Sequence, residues 1–300
     1  MTASTSRFFR ATVTAVTDLT PSFRRFTFGG PDLADYGDPG FDQRIKIVFP
    51  SGEAGLDAMP TGDDWYLEWR ALPEQSRPAF RTYTTRAVRN DAREVDVDMV
   101  AHDVIGPASA WIDRAMVGDE VLIFAPTRAH TGVSYGIDFV PPAATDHILL
   151  AGDETAAPAV AVILEQLPES ASGVVVLELP HPEDAAYLPH HPGFRYHVGA
   201  RPAGRRHAHL VPEAIDTAAL LAPAGRGAEV EEVDIDEGIL WEVPRTAKGG
   251  AALKSAPLYA WLAGESAAIK TLRRALVTDH GVDRRAVAFM GYWREGRAEN

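Results

Sequence analysis

The sequence predicts an antiparallel six-stranded β-barrel followed by an α/β domain with a parallel sheet. In the first half, short segments rich in Phe, Val and Thr alternate with Gly, Pro and Asp turns, which is typical of antiparallel strands. In the second half, short apolar runs alternate with helical patterns, which is typical of βαβ units. A Pro-Pro-Ala-Ala segment at 141–144 separates the halves, so we predict domains at residues 1–142 and 143–300.

The first half contains apolar–polar alternation at the period of a β-strand. In the segment 93–100, Val95, Val97 and Met99 share one face and the acidic residues share the other. One short helix is expected from about Pro107 to Met116, because proline is accepted in the first turn of a helix. The other strands are expected at 9–16, 22–28, 44–49 and 120–125.

The second half contains apolar runs that suit strands buried on both faces. We expect these strands at 147–152, 173–179, 194–198, 258–263 and 286–290, with helices at 155–167 and 265–279. The acidic segment 229–237 is predicted to be a solvated loop. The apolar residues 239–244 that follow it suit either an extra edge strand or a lid.

The composition limits the chemistry that the protein performs. The 300 residues include no cysteine, which excludes disulfides, thiol nucleophiles and iron–sulfur clusters held by the chain. Electron transfer would therefore require an organic cofactor. The net charge of −13 argues against nucleic acid or an anionic membrane as a general partner. No apolar run is long enough for a membrane span, and no export signal is recognisable, so we expect a cytoplasmic protein.

The segment from Arg81 to Arg86 places two guanidinium groups, a phenol ring and a hydroxyl close together in the chain. Arginine pairs with phosphates in a bidentate manner, and a flat aromatic ring stacks on an isoalloxazine. A hydroxyl near flavin N5 would tune hydride acceptance. These residue types suit a flavin nucleotide, although the segment alone is equally compatible with an exposed strand.

Two further turns are candidate ligand sites. Gly106-Pro107-Ala108-Ser109 begins the predicted helix, whose free amides would bind an anion, or would simply be capped while Trp111 enters the core. The turn after the strand at 147–152 contains Asp153 and Thr155, at the usual ligand position of an α/β sheet. Its acidic residues favour contact with a nicotinamide ribose or amide rather than with a pyrophosphate.

Histidines are frequent between positions 180 and 210, where Pro and Gly separate them. Because metal binding needs imidazoles that converge, we interpret them as structural or solvated, and we predict no metal site. The residues concerned are His181, His190, His191, His197, His207 and His209.

Four segments, in this order along the chain, resemble the siderophore-interacting protein family. They are Arg-x-Tyr-Thr-x-Arg from Arg81, Gly-Pro-Ala-Ser-x-Trp from Gly106, Ala-Gly-Asp-Glu-Thr-Ala from Ala151, and the stretch from Trp261 to Gly296. The resemblance implies a ferredoxin-NADP-reductase-like fold, noncovalent FAD, and NADH or NADPH as electron donor, with ferredoxin as an alternative donor. The implied substrate is a ferric siderophore.

The resemblance also implies roles for individual residues. Arg81 and Arg86 would bind FAD phosphates, and Tyr83 and Thr84 would flank the isoalloxazine. Further cofactor-binding residues would be His102, Ala108, Ser109, Asp153, Thr155 and Trp293. Basic residues would hold the anionic chelate, and the candidates are Lys46, Arg128, Lys270 and Arg273.

The expected activity is reduction of a ferric siderophore to release Fe(II) in the cytoplasm, without a catalytic acid or base. The alternatives are a flavin reductase with another acceptor, and a siderophore-binding protein without redox turnover.

Overall fold

The computed structural model describes residues 6–50, 55–101, 106–130, 132–134, 136–222 and 240–296. The chain divides between Gly136 and Ile137 into two compact units. The acidic loop predicted at 229–237 and the site candidate His102 lie outside the described residues.

The first unit contains one antiparallel sheet of seven strands, in the order β4-β3-β7-β1-β2-β6-β5. The strands are β1 (Ser6–Asp18), β2 (Phe23–Gly29), β3 (Arg44–Val48), β4 (Phe80–Thr84), β5 (Ala87–Arg89), β6 (Glu94–Val100) and β7 (Glu120–Pro126). The strand count of six was therefore wrong, because the three-residue β5 is too short to show alternation. Within the described residues no ladder joins the edge strands β4 and β5, so the sheet is a half-barrel rather than a closed barrel.

Two helices cover apolar surface in this unit. The predicted helix is confirmed as α2 (Pro107–Arg114), and its Trp111 ring lies 5.1 Å from the rings of both Phe26 and Phe49. A second helix, α1 (Trp65–Ala71), was not predicted because its seven residues are mostly exposed and lack a clear apolar stripe. It packs Trp65 against Phe8 and Phe124 in a smaller apolar cluster.

Strand β6 has the predicted alternation, and its acidic face is buried. Val95, Val97 and Met99 are inaccessible to solvent and belong to the main core. Asp98 on the other face is also buried, and it accepts hydrogen bonds of 2.7 and 2.8 Å from the Arg25 guanidinium. A buried carboxylate is tolerated because this bidentate pair compensates its lost hydration.

The neighbouring Asp96 is buried in the same way. Arg89 donates two hydrogen bonds of 2.6 and 2.7 Å to it, and the Thr27 hydroxyl donates one of 2.8 Å. Burial by itself would raise the pKa of Asp96, but the hydrogen bonds from Arg89 and Thr27 outweigh burial and lower it. The acidic face of β6 is thus a row of ion pairs on the sheet.

The second unit contains a six-stranded sheet in the order β10-β9-β8-β12-β13-β11. Its strands are β8 (Ala144–Asp153), β9 (Gly173–Leu179), β10 (Phe194–Ala200), β11 (Trp241–Glu242), β12 (Ser255–Glu265) and β13 (Val287–Trp293). The first five strands in that order are parallel, as predicted, and β11 is antiparallel to β13. Of the two alternatives for 239–244, the structure shows an edge strand at Trp241–Glu242.

Among the described residues of this unit, three helices connect the parallel strands. They are α3 (Ala157–Gln166), α4 (Leu210–Leu221) and α5 (Ser266–Arg274), the last of which continues as a π-helical turn at Ala275–Asp279. Helix α4 was not predicted, although Leu210, Ala214 and Ala218 form a buried stripe at four-residue spacing. None of the described helices has the length and apolar character that crossing a membrane requires.

The Arg25–Asp98 pair leads to a stability prediction. Asp98→Asn leaves the Arg25 and Arg86 guanidinium groups beside a neutral amide, so we expect the free energy of unfolding to fall by about 3 kcal/mol. Asp18→Asn is the control, because Asp18 is an exposed partner of Arg24, and a change below about 1 kcal/mol is expected there. Urea titration followed by tryptophan fluorescence measures both. Equal losses in the two variants would contradict a special role for the buried pair.

Candidate functional site

Strand β4 places Arg81 and Tyr83 on the inner face of the half-barrel. In the β3–β4 ladder they lie opposite Ile47 and Ile45, which are core residues, and residues directly opposite share a face. The Tyr83 ring packs against the core edge-to-face with Phe49, at a centroid distance of 6.2 Å. Burial raises the pKa of the Tyr83 phenol, and nearby Arg81 offsets this only in part. Tyr83 is therefore a neutral flat ring at neutral pH.

The start of helix α2 lies on the same side of the core. Ala108 belongs to the same buried cluster against which Tyr83 packs, and Phe49 contacts both Tyr83 and Trp111. The Ser109 hydroxyl accepts a 3.0 Å hydrogen bond from the Gly106 N–H and contacts the Gly106 carbonyl at the same distance. Ser109, at the third helical position, therefore caps the start of α2 by bonding the backbone of Gly106.

The remaining residues of the Arg81–Arg86 segment occupy different surroundings. Because neighbouring residues of a strand point to opposite faces, the Thr84 side chain does not share the face of Tyr83. Arg81 Nη1 donates a 2.7 Å hydrogen bond to the Phe80 carbonyl. Arg86 Nε lies 3.3 Å from the buried Asp98 carboxylate. This ion pair positions the Arg86 guanidinium group.

The other face of the β3–β4 ladder borders a cavity of about 250 Å³. Its lining includes Arg44, Lys46 and His130, and no carboxylate is among the lining residues that the structure describes. Lys46 Nζ lies 3.4 Å from the Thr82 hydroxyl and 5.0 Å from the centre of the Phe80 ring. Neither ring nitrogen of His130 has a hydrogen-bond partner within the described parts of the chain. The cavity is thus suited to an anion.

The four predicted chelate-binding residues are divided between the two units, with Lys46 and Arg128 in the first and Lys270 and Arg273 in the second. Arg128 is exposed and does not line the Lys46 cavity, and its Nη1 lies 3.4 Å from the Ala34 carbonyl. In the second unit, Lys270 is half-buried on α5. Arg273 is buried there, with its guanidinium 4.7 Å from the Phe289 ring and 3.8 Å from Glu242. Arg44 and His130 of the cavity were missed, although Arg44 precedes Lys46 in the alternating strand.

Asp153, Thr155 and Trp293 meet at the carboxyl end of the parallel strands and bind one another. Asp153 Oδ1 accepts from the Thr155 amide at 2.9 Å and from its hydroxyl at 2.5 Å. Asp153 Oδ2 accepts from the Glu265 amide at 2.9 Å and from Trp293 Nε1 at 2.8 Å. The four donors fill the accepting capacity of a fully buried carboxylate. This network joins the ends of β8, β12 and β13.

Glu154 lies beside the network and is also buried. Burial and the Asp153 charge raise its pKa to about 7, although Arg201 lowers it again in part. Glu154 forms an ion pair with Arg201, and Arg206 lies 3.8 Å away. The two carboxylates of the acidic turn, Asp153 and Glu154, are therefore bonded to other groups of the second unit.

The histidines of the 180–210 region are mainly bonded to neighbouring groups. His191 Nε2 lies 3.2 Å from the Pro168 carbonyl, His197 pairs with Glu213, and His209 Nε2 lies 3.2 Å from the His197 carbonyl. His207 differs, because neither of its ring nitrogens has a hydrogen-bond partner among the described residues.

The Asp153 network makes Gly264 hard to replace. Gly264 has φ +147°, and a Cβ there would lie 2.6 Å from Asp153 Oδ2. We expect Gly264→Ala to lower the free energy of unfolding by at least about 2 kcal/mol, measured by thermal and urea unfolding. Gly250→Ala is the control in the same unit, since its Cβ would meet only one atom, at 3.7 Å, and a change within about 0.5 kcal/mol is expected. A tolerated Gly264→Ala would show that the network adapts.

Comparison with known proteins identifies both halves of the chain. Residues 12–130 match the Siderophore-interacting FAD-binding domain family, and residues 145–296 match the Siderophore-interacting protein family. An uncharacterised protein of Mycobacterium tuberculosis is 32% identical over 96% of this chain and 90% of its own length. The ferric vibriobactin reductase ViuB of Vibrio cholerae is 26% identical over 92% of this chain and 85% of its own.

Solved structures have the same architecture. A siderophore utilization protein from T. fusca superposes with a TM-score of 0.70 at 26% identity, covering 98% of this chain and 95% of its own. The ferredoxin reductase in carbazole 1,9a-dioxygenase superposes with a TM-score of 0.55 at 14% identity, covering 98% of this chain and 71% of its own. The second likeness shows that the fold is ferredoxin-reductase-like. The chain belongs to the siderophore-interacting protein family and contains its FAD-binding domain.

Proposed function

We propose that the protein is an FAD-dependent ferric-siderophore reductase that uses NADH or NADPH to reduce the Fe(III) chelate, releasing Fe(II) in the cytoplasm. Family membership and the activity named for the Vibrio cholerae relative support this proposal. Ferredoxin is not supported as a donor by these relatives, and we leave it out of the proposed cycle.

One observation carries the proposal. The two faces of the β3–β4 ladder present complementary groups, with Arg81 and Tyr83 on the inner face and Lys46 beside an anion-suited cavity on the other. A redox cofactor and an anionic iron chelate would therefore be held by the same pair of strands. That pairing is what a flavin-to-iron reductase needs, because electron transfer requires both partners to be held near each other.

The residues carried by β4, by the segment directly after it and by the start of α2 fit FAD in chemical type. Arg81 and Arg86 would bind the pyrophosphate, the neutral Tyr83 ring would lie against the isoalloxazine, and the first amides of α2 would bind a phosphate. Ala108 and Ser109 would shape that helix start, and Thr84 would contribute through its backbone. When bound, FAD supplies the redox chemistry that connects a two-electron nicotinamide donor to one-electron iron.

The chain's own residues would hold the chelate and the nicotinamide nucleotide in position. We propose that Arg44 and Lys46 hold the anionic chelate, because none of the described residues that line the cavity is a carboxylate. Arg128, Lys270 and Arg273 are further candidates for chelate binding, and Arg273 already has a packing role. Asp153, Thr155 and Trp293 would fix the edge on which the nicotinamide nucleotide docks. No side chain is required as an acid or base for the reduction.

The function is tested by iron release under anaerobic conditions. The purified protein with FAD is mixed with a ferric siderophore, NADH or NADPH, and ferrozine as Fe(II) trap. Formation of the ferrous complex that depends on protein, flavin and nucleotide supports the proposal. Flavin bleaching without Fe(II) would favour a different electron acceptor, and failure to bind FAD at all would leave a siderophore-binding protein.

Loss of Arg81 should weaken flavin binding. A charge-assisted phosphate contact contributes roughly 1.5–3 kcal/mol, so Arg81→Ala should raise the FAD dissociation constant about 10- to 100-fold. Arg70→Ala on α1, an exposed arginine of the same unit, is the control and should leave the affinity unchanged. Fluorescence titration of FAD measures both constants. Unchanged FAD retention by Arg81→Ala would remove Arg81 from the proposed site.

Loss of the Lys46 charge should affect the chelate and leave the flavin in place. We expect Lys46→Gln to raise the KM for an anionic ferric siderophore about 5- to 30-fold, from one lost charge-assisted contact. FAD affinity should stay the same, and Lys248→Gln at an exposed position should change neither quantity. The ferrozine assay gives KM. An unchanged KM would place the chelate away from this cavity.

A further inference from the structure

The cavity beside Lys46 changes in chemical character from one side to the other. On the outer face of the half-barrel, Lys46 lies directly opposite Thr82 in the β3–β4 ladder and opposite Phe124 in the β3–β7 ladder. Residues directly opposite share a face of the sheet, so the three side chains form one row. All three line the cavity. The row passes from a hydroxyl through an ammonium group to an aromatic ring.

The apolar side of the cavity is continuous with a cluster of aromatic rings. The half-buried Phe124 packs on Trp65 of α1, with ring centres 5.2 Å apart. Phe80, whose ring lies 5.0 Å from Lys46 Nζ, packs on the same indole at 5.7 Å. A flat ring that entered beside Phe124 would therefore extend an existing aromatic cluster, in the edge or offset geometry that such rings prefer.

The polar side of the cavity supplies donors and positive charge. Arg44, Lys46 and His130 line it, and the described lining residues include no carboxylate. The two ring nitrogens of His130 are buried and have no hydrogen-bond partner among the residues that the structure describes. An unsatisfied buried nitrogen costs free energy, which a ligand oxygen would recover by pairing with it. The two sides together match a group with a flat apolar body and anionic oxygens.

The volume of the cavity limits how much of a ferric chelate can enter. Sites that enclose most of a drug-sized molecule have volumes of roughly 300–1,000 Å³. The Lys46 cavity, at about 250 Å³, is smaller. A chelate that surrounds iron with several bidentate arms is larger than such a molecule. The cavity therefore has room for one arm.

Two other kinds of chelating arm match the cavity less well. A hydroxycarboxylate arm is anionic, but it has no flat apolar face to set against Phe124. A hydroxamate arm belongs to a ferric complex that is neutral when three such arms bind the metal, so it gives Arg44 and Lys46 little charge to pair with. An aryl arm with anionic oxygens satisfies both sides.

We propose that the Lys46 cavity takes a single aryl oxyanion arm, of the catecholate or salicylate type, while the iron stays outside. This inference rests on the proposed function and narrows its substrate to chelates with aryl arms. Because the cavity recognises the arm rather than the metal, an iron-free arm binds there as well. The ligand left after iron release therefore competes with the next ferric chelate.

Binding of small probes to the full chain with FAD tests the inference without iron or turnover. Titration calorimetry compares salicylate with salicylamide, which keeps the ring but lacks the carboxylate, and with acetate, which keeps the charge but lacks the ring. We expect salicylate to bind at least about 10-fold more tightly than either, because only salicylate uses the cations and the aromatic side together. In the ferrozine assay, salicylate should raise the KM for an aryl ferric siderophore and leave kcat unchanged.

Variants separate the two sides of the cavity. Lys46→Gln and His130→Gln should each weaken salicylate about 10-fold, and His130→Gln removes no side-chain hydrogen bond among the described residues, which guards against misfolding. Phe124→Leu should weaken salicylate and salicylamide about 3-fold each and leave acetate unchanged. His190→Gln, at an exposed position of the second unit, is the control and should change no affinity.

The outcomes distinguish this inference from the proposed function. Salicylate that binds no more tightly than acetate would show a general anion site, and salicylate that binds no more tightly than salicylamide would show that charge is not recognised. Either result overturns the inference, as does salicylate affinity that neither Lys46→Gln nor His130→Gln changes. Fe(II) formation without salicylate binding would overturn the inference and leave the reductase standing. Salicylate binding with the expected variant pattern but without Fe(II) formation would refute the reductase and leave the cavity assignment intact.

Discussion

The second unit depends on one carboxylate. Asp153 is buried at the carboxyl end of β8, where it accepts hydrogen bonds from three different segments of the chain. A buried carboxylate without hydrogen-bond partners would destabilise the fold. The four hydrogen bonds to Asp153 therefore strongly favour a structure in which the ends of β8, β12 and β13 stay together. Gly264 and Gly152 allow the close approach, because a Cβ at Gly152 would overlap the Ala263 carbonyl. The carboxyl-end edge of this sheet is held together for this reason.

The first unit uses ion pairs in a comparable way. The acidic face of β6 is buried beneath Arg25, Arg86 and Arg89 on neighbouring segments. These pairs keep Arg86 in a fixed orientation, which reduces the entropy that it would lose on binding a phosphate. The structural role of Arg86 and its proposed binding role would then meet in one guanidinium group. Trp293 also makes two different contacts. Its indole N–H donates a hydrogen bond to Asp153, and its ring lies against the Arg206 guanidinium.

Much of the architecture could be predicted from local patterns. The apolar runs at 147–152 and 173–179 predicted buried parallel strands, because a sheet covered on both faces needs continuous apolar residues. The alternation at 93–100 predicted β6. Short elements such as β5 and α1 were missed, since a few residues do not establish a period. The family was recognisable because its motifs combine several chemically unusual residues in a fixed order.

The contacts within the candidate site were harder to predict from the sequence. The sequence predicted a cofactor-binding role for Asp153, Thr155 and Trp293. It did not predict the hydrogen bond between Asp153 and Trp293, because these residues lie 140 positions apart in the chain. Likewise, the buried state of Asp98 depends on Arg25 from another strand. Arg205 was not singled out and His207 was interpreted as structural or solvated, because a loop after a weak strand carries no periodic signal. Contacts between residues far apart in the chain, rather than residue type, decide which polar groups form hydrogen bonds within the protein and which can bind a ligand.

The β3–β4 ladder has a consequence for how this family member can change. Since the inner residues of β4 and the cavity residue Thr82 alternate along one short strand, single substitutions alter one face at a time. Insertion or deletion of one residue between Phe80 and Thr84 would instead exchange the faces, turning Tyr83 away from the core and a threonine into it. We therefore expect insertions and deletions in this strand to be selected against. The residues of each face can be substituted independently of the other face.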